Sequence, residues 1–147
     1  GYFEAKYRYP KSDSAHYNIS FWLAKSEGNT EAAYQEIDIN EGRMPDMLQL
    51  GIHGSRDGKR WGSYTRPLSC EDLREGFHTY SLEWTESELI WYFDGREVRR
   101  ETHTHANSPS YVYLSTAIMN GADFDILNRD ADGTSMDVEY VRVYQRK

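Results

Sequence analysis

Apolar and polar residues alternate with a period of two along most of this chain, and no long stretch carries a helical period. The pattern predicts strands near 2–9, 16–24, 33–41, 47–53, 59–65, 78–85, 88–94, 96–103, 111–119 and 136–145. Turn residues punctuate them: Gly28-Asn29, Asp57-Gly58, Asp94-Gly95, Gly121 and Asp132-Gly133. There is no internal repeat and no low-complexity segment. Such a run of strands predicts an all-β protein, an antiparallel sandwich of two sheets. Strand phase then sorts side chains into an inner and an outer face. In 18–24, Ile19, Phe21 and Leu23 form the core set, leaving Asn18, Ser20, Trp22 and Ala24 opposite. In 47–53, Leu48, Leu50 and Ile52 point inward, and Met47, Gln49, Gly51 and His53 share the other side.

The most informative stretch is Tyr34-Gln-Glu-Ile-Asp-Ile-Asn-Glu-Gly-Arg43. Glu36 and Asp38 share a strand face, while Ile37 and Ile39 point into a core. Glu41 falls out of phase unless one extra residue bulges and returns it to the face of the other two. With a bulge, Glu36 and Glu41 lie about four strand steps apart, roughly 13–14 Å between α-carbons. Carboxyls leaning together from there could reach about 5–5.5 Å, the separation of a retaining glycosidase pair. Three like charges this close repel, which a merely structural strand has little reason to keep. From the residues alone three readings stay open: a catalytic group, a cation site, and a solvated polar face. The acidic face should join those of the neighbouring strands, so Trp22, Glu36, Asp38, Glu41, Gln49 and His53 are expected to line one groove.

Composition narrows the classes. The 147 residues suit one domain, and 12 Tyr and 4 Trp suit both pleated sheets and sugar stacking. A net charge of −7 argues against a nucleic-acid partner. No apolar run approaches the roughly 20 residues of a membrane helix. The single Cys70 allows no internal disulfide, so the redox compartment is unreadable. The segment 42–68 runs against the overall charge, with Arg43, Arg56, Lys59, Arg60 and Arg66 facing only Asp46 and Asp57. Guanidinium groups suit sulfate or carboxylate recognition. Arg43, Arg60 and Trp61 are therefore added as candidate substrate contacts.

Glu36-Ile-Asp-Ile-Asn-Glu41 resembles the Glu-x-Asp-x-x-Glu signature of glycoside hydrolase family 16, which includes laminarinases, agarases, porphyranases and carrageenases. Gly1-Tyr-Phe-Glu-Ala-Lys6, Ser20-Phe-Trp-Leu23, Phe77-His-Thr-Tyr80 with Glu83-Trp-Thr85, Trp91-Tyr-Phe-Asp-Gly95 and Met136–Tyr144 resemble further family blocks in the family's order. The resemblance implies a concanavalin A-like jelly roll with a concave substrate cleft. It implies Glu36 as nucleophile, Glu41 as general acid/base, and Asp38 between them, sharing a hydrogen bond with Glu36. The charges of Glu36 and Asp38 are then expected to keep Glu41 protonated. Tyr34, where related enzymes often carry Trp, becomes a candidate sugar platform.

On this reading the chain is a single catalytic domain, 1–147. It is expected to be truncated, because members normally carry several strands before the Gly-Tyr-Phe-Glu block; unpaired sheet edges should follow. The expected activity is endo-acting, retaining hydrolysis of a β-linked polysaccharide, with the basic segment favouring a red-algal galactan. The alternatives are a laminarinase-type β-1,3-glucanase and a catalytically silent carbohydrate-binding jelly roll. Catalysis needs no cofactor. Glu139 sits where family members place an acidic ligand of a structural calcium, and oxygen ligands suit that ion. The partner is the polysaccharide alone, with no nucleic acid and no membrane span. A monomer, secreted or at the cell surface, is expected.

Overall fold

The computed structural model describes residues 1–11, 17–119 and 133–145, so the turn positions Gly121 and Asp132 lie outside the described residues. Twelve strands follow one another: β1 (Tyr2–Arg8), β2 (Tyr17–Lys25), β3 (Gln35–Gly42), β4 (Met47–Leu48), β5 (Gly51–Arg56), β6 (Lys59–Tyr64), β7 (Leu68–Ser69), β8 (His78–Trp84), β9 (Glu88–Phe93), β10 (Arg96–Thr102), β11 (Ser110–Ile118) and β12 (Asp137–Tyr144). They build two five-stranded antiparallel sheets, ordered β10-β9-β8-β1-β12 and β11-β2-β3-β5-β6, plus the short β4-β7 pair. This is the two-sheet antiparallel sandwich expected from the alternation, and the jelly roll that the family resemblance implies.

The expected strand 47–53 is two elements. Between β4 and β5 the backbone leaves the ladder. There Gln49 O accepts the Glu41 N–H at 2.8 Å, and Leu50 O accepts from Thr65 N at 3.0 Å and from the Arg99 guanidinium at 2.7 Å. The inward phase survives the break, since Leu48, Leu50 and Ile52 are all buried. Two hairpins close on two-residue turns. Asp57 (φ 51°) and Gly58 (φ 72°) join β5 to β6, and Asp94 (φ 46°) and Gly95 (φ 75°) join β9 to β10. Left-handed backbone at both central positions matches the strand twist, which is why Asp-Gly stands in each.

The core fills the gap between the sheets. Ile19, Phe21, Leu23, Ile37, Ile39 and Ile52 from the second sheet meet Ala5, Tyr7, Tyr80, Leu82, Leu89 and Trp91 from the first. Each fully buried large aliphatic side chain contributes about 1.5–3 kcal/mol. At one side Arg99 of β10 reaches across to Leu50 O and Ser63, tying the sheets together. At the other side, β11 and β12 are the edge strands among the described residues. Val112, opposite Leu23, and Val141 and Val143, opposite Ala5 and Phe3, face inward yet stay exposed.

Candidate active site

The second sheet carries the acidic strand at its centre. Along β2 and β3, Phe21 pairs with Asn40 and Trp22 with Asp38, so Ile39 is an extra residue on β3. This bulge resets the alternation. Glu36, Asp38 and Glu41 pair with Ala24, Trp22 and Ser20, three residues that share one face, while Ile37, Ile39 and Asn40 turn to the core. The opposite sheet supports the irregularity. Fully buried Trp91 of β9 donates its indole N–H to Asp38 O at 2.9 Å, and Asn40 donates to the hydroxyls of Tyr7 (3.1 Å) and Tyr9 (2.6 Å). The Asp38 carbonyl and the Asn40 amide nitrogen thereby find partners beside the bulge.

On the outer face each carboxylate has its own surroundings. Glu36 accepts from His53 Nε2 at 2.8 Å, and the same nitrogen lies 3.7 Å from Asp38 Oδ2. His53 Nδ1 stands 3.4 Å from the Tyr34 hydroxyl, with the two rings edge to face. Asp38, only 3% exposed, accepts from the Tyr64 hydroxyl at 3.1 Å. Gly51 makes that bond possible: a Cβ there would lie 2.3 Å from the Tyr64 ring, which instead crosses the bare backbone to reach Asp38. Glu41 accepts from Asn18 Nδ2 (3.2 Å) and Arg43 Nη2 (2.7 Å) on one oxygen and from Gln49 Nε2 (3.0 Å) on the other.

Asp38 is the buried carboxyl of this cluster. Burial, then the charges of Glu36 and Glu41, push its carboxyl up to about 7, with the His53 charge and the Tyr64 hydroxyl pulling the other way. His53 is raised above the usual imidazole range, chiefly by its hydrogen bond to Glu36. Asp38 is therefore a neutral acid in mildly acid solution, beside a cationic imidazole.

Trp22, Tyr34, Gln49, His53 and Arg43 all meet the acidic face. Trp22 stands in the Asp38 row, with Nε1 donating to Ser115 Oγ at 3.0 Å and its ring stacked on Tyr113 at 4.5 Å. Arg60 pairs with Ser55 near the β5-β6 turn, exposed at the margin of the same face. Trp61 is a correction. It pairs with Gly54, on the side of the sheet opposite His53, where it packs against the core and stacks on His105 at 5.6 Å. The Asp57-Gly58 turn carries the signal that decides this, since a two-residue hairpin loop sets Gly62, not Trp61, across from His53. Tyr64, two further on, is the residue that reaches the cluster. Asn18 is the other site residue absent from the sequence-based set, although its strand phase puts it on this face.

The basic residues do not make one wall. Arg56, Lys59 and Arg60 cluster at the β5-β6 turn, whereas Arg43 lies past Glu41 and Arg66 past the far end of β6.

Glu36, Asp38 and His53 offer ligand atoms within 4.8 Å of one another and could hold a metal ion, as could Glu71, His78 and Asp94 on the other sheet. In the second group Asp94 is already spent on closing a turn, accepting from Thr79 N and bonding His78 Nδ1, both at 2.8 Å. Glu139 forms an ion pair instead of joining an acidic cluster among the described residues. Its carboxylate lies 2.8 Å from Lys6 Nζ.

A two-sheet jelly roll with three carboxylates gathered on one outer face defines the class of a sandwich-fold glycosidase. The chain matches the sequence model described as glycosyl hydrolases family 16 over residues 1–142, and it belongs to that family. It is 32% identical over 149 residues to the endo-1,3-1,4-beta-glycanase ExsH of Rhizobium meliloti (strain 1021), covering 98% of this chain but 30% of that protein. The chain thus spans under a third of that relative's length. Among solved structures it resembles the kappa-carrageenase zobellia_236 of Zobellia galactanivorans, at 27% identity and a TM-score of 0.73, over 100% of this chain and 67% of that one. A Bacteroides ovatus family 16 protein of a mixed-linkage glucan locus shares the fold, with 23% identity and a TM-score of 0.80 over 96% of this chain and 68% of that one.

Proposed function

We propose that this chain is an endo-acting, retaining β-glycoside hydrolase. The observation that carries the reading is the bulge at Ile39, which sets Glu36, Asp38 and Glu41 on one face with different partners. Glu36, held by His53, attacks the anomeric carbon and forms a glycosyl-enzyme bond. Glu41 gives its proton to the leaving oxygen, then takes one from the water that breaks that bond. The reacting groups are side chains of this chain, so the step requires no cofactor. Asp38, protonated up to about pH 7 and bonded to Tyr64 rather than to Glu36, spares the cluster a third negative charge.

The finer reading is a red-algal galactan. Arg43, half exposed beside Glu41, supports it through the suitability of guanidinium for sulfate oxygens, as does the likeness to a carrageenase. A mixed-linkage or laminarin-type β-glucan is the second reading, favoured by the relative that acts as an endo-1,3-1,4-beta-glycanase. A polymer of this size is met outside the cell, by a monomer that is secreted or surface-bound.

The test is incubation with agarose, porphyran, carrageenan, laminarin and mixed-linkage glucan, followed by product sizing. Release of mid-length fragments is expected from one of them. Glu36→Gln should abolish cleavage, and Glu41→Gln should lower it by about 10²–10⁴-fold, both with polymer binding kept. Full turnover by Glu36→Gln would remove the nucleophile. For a sulfated substrate, affinity should fall steeply with salt, since exposed charges are screened over roughly 8–10 Å at physiological ionic strength. Salt-insensitive binding would move the assignment to the neutral glucan.

A further inference from the structure

We propose that Tyr111 and Tyr113 of β11 extend the acidic face into a second sugar-binding stretch, an aromatic platform for an uncharged pyranose unit remote from the cleavage point. Two cross-strand rows define it. One runs Tyr113–Trp22–Asp38–Gly51–Tyr64 and the next Tyr111–Ala24–Glu36–His53–Gly62. Residues paired across an antiparallel sheet share a face, so both tyrosines stand on the side of the carboxylates. Strands lie about 4.7–4.9 Å apart, which puts Tyr111 two spacings, roughly 10 Å, from Glu36. Only the methyl group of Ala24 intervenes.

The rings are exposed but held. Tyr111 is 57% and Tyr113 39% exposed. Tyr113 stacks on Trp22 with 21° between planes, and Tyr111 meets Tyr113 edge-on at 6.4 Å. The indole is fixed in turn by its bond to Ser115. A tyrosine that served only as a sheet former would not need to join a rigid ladder of three rings ending at a carboxylate. Fixed aromatic rings with wet rims suit the C–H face of a pyranose, and rigidity lowers the entropy lost on binding. At the platform end of the rows Tyr111, Tyr113, Trp22 and Ala24 carry no charge, so the unit bound here is uncharged. A chain lying across the strands would touch this platform and the carboxylates together, and short fragments would not.

This rests on the hydrolase reading only for its polarity toward Glu36, so binding is measured apart from cleavage. Glu36→Gln protein would be run by affinity electrophoresis through gels containing mixed-linkage glucan, laminarin or agarose, alone and with Tyr111→Ala or Tyr111→Phe. Removing the ring should weaken binding to the long polymer by roughly fivefold. Phe, which keeps the ring, should bind within about twofold of the parent, a rescue that a lost hydroxyl contact would not allow. Binding of short oligosaccharides should be unchanged. Equal retardation of parent and Tyr111→Ala, or equal loss on short and long ligands, would overturn the platform, as would a folded parent that binds none of the polymers. If the native protein cleaves nothing but Tyr111→Ala still loses polymer binding, the hydrolase reading falls and the platform stands.

Discussion

Opposed influences meet on the Asp38 carboxyl: burial with the charges of Glu36 and Glu41 raises it to about 7, and the charge of His53 and the hydroxyl of Tyr64 restrain it. Activity should therefore fall as pH rises through about 7, when Asp38 ionises and a third negative charge appears beside the reacting pair. Tyr64→Phe keeps the ring over Gly51 but removes the donor that favours the ionised form. Asp38 then holds its proton to higher pH, and the alkaline limb of kcat/KM should move upward. A profile of kcat/KM against pH on the cleaved polysaccharide checks this; an unmoved limb would mean that Asp38 does not set it. Asp38 and its neighbours were legible in the sequence as a motif. Tyr64 was not, because its partner is set by a hairpin register and by the bare backbone of Gly51, neither of which belongs to the acidic strand.

At the scale of elements, the bulge on β3 depends on the opposite sheet. Asp38 O accepts from Trp91, and Arg99 lies over the Trp91 ring at 4.5 Å while donating to Leu50 O. Trp91→Phe fills much of the same space but leaves a buried carbonyl unpaired, which costs about 1–3 kcal/mol. The urea midpoint should fall accordingly, and turnover should fall with it as the bulge loses its anchor. Lost stability with unaltered turnover would show that the bulge holds itself. Alternation in the sequence placed most strands within a residue or two, and the phase of 18–24 and 36–41 correctly separated core from face. The break at Gln49-Leu50 escaped it, since the inward phase continues across the gap while the hydrogen bonds go to Glu41, Thr65 and Arg99.

For the whole molecule, the two shifted groups that titrate between about pH 5 and 8, Asp38 and His53, act on stability in the same direction. Asp38 binds its proton more tightly folded than unfolded, so between about pH 4 and 7 the native state holds more protons and stability falls as pH rises. His53, also raised, contributes stabilisation that is full below about pH 6.5 and is lost as pH climbs through its folded value. Tm should thus decline from pH 5 to pH 8, and Asp38→Asn should flatten that decline by removing the larger of the two. Thermal melts across that range decide it; a Tm rising with pH would contradict the charge arrangement.

The sequence by itself determined the strands, the two faces, the acidic triplet and the family likeness, because a period of two and a ten-residue motif are local properties of the chain. Only the tertiary structure decided that Ile39 is the bulged residue, that Trp61 turns away while Tyr64 and Asn18 turn in, that the basic residues part into separate groups, and that Lys6 pairs with Glu139. Each of those depends on which strand lies beside which and in what register. Register is fixed by contacts between residues far apart in the chain, so no single stretch of sequence carries it.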